Sequence, residues 1–94
     1  MKFQKMSVKE FNNWLKNPHA REASLPQFFK TGVPRTRRVL AGEGTEYSIT
    51  KWKSFIARHG AAFAKNPTHR RAIAIQNWGW KNSKTKELVK AHGN

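Results

Sequence analysis

Arg35-Thr36-Arg37-Arg38-Val39-Leu40, then Ala41-Gly42-Glu43-Gly44, then Thr45-Glu46-Tyr47-Ser48-Ile49 is the stretch on which the fold depends. Two short runs with β-branched residues flank a Gly-rich turn, which predicts a β-hairpin across about 35–50. Tyr47 and Ile49 stand two apart, the spacing of a half-buried strand. Three arginines sit at the entry of this hairpin.

Outward from it the pattern is helical. Towards the N-terminus, Ser24-Leu25-Pro26-Gln27 reads as a helix start, with Ser as cap and Pro tolerated in the first turn. Leu25, Phe28 and Phe29 form its apolar face, Gly32 is placed to end it, and Pro34 enforces the stop, giving a short helix over about 25–31. Ser7-Val8-Lys9-Glu10 is a capping box ahead of Phe11, Trp14 and Leu15 at helical spacing, which predicts a first helix over about 8–17. Asn17-Pro18 closes it. Beyond the hairpin, Thr50 caps a helix carrying Trp52, Phe55, Ile56 and Phe63, with Gly60 as a bend or break. Asn66-Pro67 precedes a fourth helix over about 68–78 around Ala72, Ile75 and Trp78, and a last short helix over about 84–91 carries Leu88 and Val89.

The whole is a mainly α fold with one short β-hairpin, in a single domain of 94 residues. Apolar residues are sparse at 37%, but four Trp, six Phe and one Tyr supply a core and argue against a disordered chain.

Charge decides the function class. Nineteen Lys and Arg against five Glu leave a net charge of +14. Such self-repulsion costs folding stability and points to a polyanionic partner. Nucleic acid comes first, because Lys and Arg clusters displace condensed counterions from phosphates. An anionic membrane, an acidic protein surface and a merely solvated basic exterior are the alternatives.

Enzymatic chemistry finds little to work with. Cysteine is absent, so disulfides, thiol nucleophiles and zinc-finger sites are excluded. The four His are scattered, and without Asp there is no magnesium-type carboxylate cluster. Gly42-Glu43-Gly44 lacks the length and the Lys-Ser/Thr of a phosphate loop. No enzyme, cofactor or metal is expected. No apolar run spans a bilayer, and Met1-Lys2-Phe3-Gln4-Lys5-Met6 has no apolar stretch behind it, so a cytoplasmic protein with no membrane partner is expected.

The cations fall in three groups. Arg35, Arg37 and Arg38 suit a groove-probing wing or a charge-protected edge strand. Lys51, Lys53 and Arg58 lie on the polar side of the third helix. Lys65, Arg70, Arg71, Lys81, Lys84, Lys86 and Lys90 make a basic C-terminal region. Helical spacing assigns most aromatics to the core, while Trp78 and Trp80, beside Gly79, are candidate base-stacking platforms.

The order helix, short helix, basic hairpin, helix resembles a winged helix-turn-helix of the MerR and excisionase kind. Ser24-Leu25-Pro26-Gln27-Phe28-Phe29-Lys30-Thr31-Gly32-Val33-Pro34 looks like that family's recognition helix. Gly44 to Trp52 looks like the wing's return strand and the next helix start. The likeness covers about residues 7–60, departing in a longer connection between the first two helices and in the early Pro26. It implies a winged-helix-like core over 7–64 with a basic helical extension over 65–94. It also implies major-groove contacts from Ser24, Gln27, Lys30 and Thr31, with Gln27 on a base edge, and backbone or minor-groove contacts from Arg35, Arg37 and Arg38. The function so implied is a double-stranded DNA binder of excisionase, small-regulator or phage-accessory type, associated with the nucleoid. An RNA or single-strand binder using Trp78, Trp80 and the basic tail, and a small inhibitor of an acidic protein partner, are the rival readings.

Overall fold

The structure, a computed structural model describing residues 1–92, is mainly helical. In chain order it comprises β1 (Gln4–Lys5), α1 (Val8–Trp14), a 3-10 helix (Pro18–Glu22), a π-helical turn (Phe28–Gly32), α2 (Val33–Leu40), α3 (Glu46–Lys65), α4 (His69–Asn77), β2 (Trp80–Lys81) and α5 (Ser83–His92).

The helix starts are where side chains satisfy free amides. Ser7 and Glu10 form the full capping box of α1, at 3.1 and 3.3 Å. Thr68 caps α4 through the Arg71 amide at 3.2 Å.

The hairpin expected over 35–50 is not formed: residues 35–40 belong to α2 and residues 46–50 to α3. Val33, Thr36, Val39 and Leu40 are all buried, a helical stripe hidden within a sequence that also alternates. The π-helical turn runs directly into α2, so neither Gly32 nor Pro34 ends a helix as expected; Pro34 is accommodated in the first turn of α2. Gly42, at φ +80°, ends that helix. Its amide bonds to the Val39 carbonyl at 3.0 Å and the Glu43 amide to the Arg38 carbonyl at 2.8 Å, the two bonds of a Schellman cap. The glycines read as a hairpin turn are thus a helix terminus. Thr45, not Thr50, caps α3, accepting from the Ser48 amide at 3.1 Å. Gly60 does not break α3, which runs through it; a Cβ there would stand 2.7 Å from the Phe3 ring, so glycine lets the N-terminal segment close on the helix.

The two strands lie elsewhere and are distant in sequence. β1 and β2 pair antiparallel, Gln4 opposite Lys81 and Lys5 opposite Trp80, and the Met6 amide extends the ladder to the Gly79 carbonyl at 2.7 Å. Gly79 needs its φ of +80° here, and Leu40 stands only 3.0 Å from where its Cβ would be.

Around α4 the buried residues run from Met6 to Val89 in one cluster, with Phe11, Phe63, Ile73 and Ile75 fully enclosed. Asn77 is also wholly buried. Its Oδ1 accepts from the Trp14 indole at 2.9 Å, and its amide nitrogen donates to the Ala20 carbonyl at 2.7 Å and the Ser24 hydroxyl at 3.0 Å. That one side chain ties α1, the 3-10 helix and the following loop to α4. Leu25, expected to pack inward, is 77% exposed, because the helical backbone begins at Pro26 and Leu25 stands just before it. No described helix is long and apolar enough to cross a membrane.

Candidate nucleic-acid interface

The cations differ in whether an acid or a carbonyl already holds them. Lys81 grips the Glu10 carboxylate at 2.5 and 2.7 Å, with Lys86 at 4.0 Å, and Lys84 pairs with Glu87 at 3.0 Å. The Lys81 hydrogen bond, helped by the Ser7 amide, keeps the Glu10 carboxyl below its ordinary value. Glu22 pairs with His19. Arg70 donates to the Glu22 carbonyl at 3.1 Å and Arg71 to the Asn66 carbonyl at 2.9 Å. The C-terminal group of cations is therefore partly committed to holding the fold.

On the π-helical turn, α2 and α3 the balance differs. Lys30, Arg35, Arg38, Lys51 and Arg58 are exposed and have no ion pair among the described residues. They line three adjoining clefts. The first, about 370 Å³, holds Lys30, Thr31, Arg35 and Arg38 beside the capped start of α3, with Glu43 on its rim. A small second one, about 40 Å³, shares Arg35 with the first and adds Lys51. The third, about 440 Å³, shares Lys51 with the second and ends at Arg58 and His59. The shared residues make one continuous basic surface. Arginine and lysine left unpaired on such a surface repel one another, a cost that phosphates would remove.

Helical geometry explains the third cleft. At 100° per residue, Tyr47, Lys51, Ser54 and Arg58 fall on a narrow stripe of α3, away from the buried Trp52 and Phe63 and alongside the buried Phe55, which also lines the cleft. Lys53 lies well off that stripe, so Lys51 and Lys53 do not act together.

The remaining expected site residues separate in the same way. Gln27, Lys30 and Thr31 are exposed, and Lys30 and Thr31 join the first cleft. Ser24 is half-buried and bonded to Asn77. Arg37 turns to α1, its Nε donating to Asn12 Oδ1 at 2.8 Å, while Arg35 and Arg38 face the cleft.

Trp78 and Trp80 are half-buried in ring stacks. Trp78 lies parallel to Phe55 at 4.1 Å and also against Phe28 at 5.9 Å; Trp80 stacks on Trp52 at 4.1 Å. The Trp52 indole donates to the Trp78 carbonyl at 2.6 Å, locking both tryptophans to α3. The exposed aromatic is instead Tyr47, 71% accessible, with the Lys51 ammonium 5.5 Å from its ring centre. Reading 45–49 as a strand concealed it; the i, i+4, i+7, i+11 spacing of Tyr47, Lys51, Ser54 and Arg58 was the signal that would have found it.

The described residues contain no group of three or more His, Cys, Asp or Glu able to hold a metal.

The chain matches no family model, no curated protein and no solved structure.

Proposed function

We propose that this protein binds nucleic acid, laying the phosphate backbone along the basic face of α2 and α3. One observation carries the reading. Five cations without acidic partners line clefts that run into one another, while Lys81 and Lys84 are held by carboxylates. Guanidinium groups fork onto phosphate oxygens, and Arg35 and Arg38, three residues apart on a helix, face the same cleft.

Duplex DNA, the partner implied by the winged-helix resemblance, keeps the support of charge and of exposed Gln27, Lys30 and Thr31. It loses the wing, since the segment that would form it is α2 and the start of α3. The proposal therefore rests on the α2–α3 face and not on that family's docking.

The test is the salt dependence of binding. Replacing Arg35, Arg38, Lys51 and Arg58 with Gln should lower the slope of log K against log salt by about 3.6 on duplex, or about 2.8 on single strands, if all four meet phosphates. Replacing Lys9, Lys84, Lys86 and Lys90 removes the same charge from α1 and α5 and should barely change it. Equal slopes for the two variants would refute the assignment. Absence of binding to any polynucleotide in dilute salt would refute the function and favour an acidic protein partner.

A further inference from the structure

We propose that the groove along α3 from Tyr47 to His59 takes unpaired bases of a single-stranded nucleic acid, with Tyr47 as the stacking platform. This inference rests on the nucleic-acid reading above and specifies the form of polymer.

Tyr47 is the exception among the aromatic residues. Every Phe and Trp is buried or half-buried, whereas Tyr47, the single tyrosine, keeps 71% of its surface in water. A lone exposed ring means little. This one heads a groove of about 440 Å³, whose floor is Phe55 and Trp78 and whose sides carry Lys51 and Arg58. At 1.5 Å per residue the groove follows α3 for about 18 Å, room for a short run of nucleotides but not for a helix of paired strands.

Both ends offer rings. At the far end His59 stacks on Phe55 at 4.2 Å and 19°, extending the parallel pair of Phe55 and Trp78 out to the surface. Partial burial, with the Arg58 charge adding to it, lowers the His59 imidazole from its ordinary value, which disfavours its charged form. Between the rings, Lys51 and Arg58 stand where a backbone crossing from one to the other would place phosphates. Alternating flat rings and cations is the pattern that holds single strands irrespective of sequence, since every base has a π face. Bases within a duplex are already stacked on their neighbours and cannot reach Tyr47.

The experiment uses fluorescein-labelled oligothymidylate of about eight nucleotides, an abasic strand of equal length, and a duplex of equal length, read by anisotropy in low salt. The native protein should bind oligothymidylate about 10-fold or more tightly than the abasic strand. Tyr47→Ala should abolish that difference, and Tyr47→Phe should preserve it. Because the side chain is exposed, the melting midpoint of Tyr47→Ala should match that of the native chain. Equal affinity for thymidylate and abasic strands in the native protein would overturn the stacking site. So would a preference that survives Tyr47→Ala, or tighter binding to the duplex; each leaves backbone binding intact. Failure to bind any of the three would overturn the nucleic-acid reading itself.

Discussion

Asn77→Ala should be among the most damaging substitutions in the molecule. The side chain is wholly enclosed and serves three partners: the Trp14 indole, the Ala20 carbonyl and the Ser24 hydroxyl. Truncation strands the indole N–H and the carbonyl, both on buried residues, while the half-buried Ser24 can find water. Each orphaned buried group costs about 1–3 kcal/mol, so the loss should be about 4 kcal/mol. A chain of this length has about 5–14 kcal/mol in all. With a urea dependence of about 1.3 kcal/mol/M, the midpoint should fall by about 3 M. Urea titration followed by Trp fluorescence and far-UV CD measures it. Trp14→Phe isolates one arm, and the double variant should show a coupling of about 1 kcal/mol or more. A loss below about 1 kcal/mol, or strict additivity with Trp14→Phe, would refute the view that this amide joins α1 and the 3-10 helix to α4.

Two other outcomes follow from the site's supporting structure. Trp52→Phe should destabilise by about 1–3 kcal/mol more than Trp80→Phe in urea titrations. The Trp52 N–H bonds the Trp78 carbonyl, whereas the buried Trp80 N–H has no acceptor among the described residues; equal losses would contradict this. The depressed Glu10 carboxyl contributes stability that is present above its unfolded value near 4.5 and is lost as pH falls through its lower folded value. Glu10→Gln should therefore flatten the decline in urea midpoint below about pH 4.5; an unchanged acid limb would show that the Lys81 contact contributes nothing.

How much of this was legible in the sequence differs by element. The first, fourth and last helices were readable, because capping residues and apolar spacing are local and here agree with the packing. The charge and the candidate function class are compositional and needed no fold at all. The core roles of Phe11, Trp14, Trp52, Phe55 and Phe63 were equally plain from spacing.

The stretch 35–50 was not, and the reason is physical. Val33, Thr36, Val39 and Leu40 make a helical face only once other residues cover them, and a glycine at positive φ serves a helix end as well as a hairpin turn. Burial against the rest of the molecule decided between the two. The same choice moved Tyr47 from a supposed strand to an open helix face and set Arg35 and Arg38 in one cleft. The true sheet joins residues some 75 positions apart, a pairing no local pattern encodes. Composition thus settled that the chain carries an excess of positive charge. Only the tertiary structure decided which cations the acids and carbonyls would hold and which would stay free, because that depends on distances between elements and not on their order.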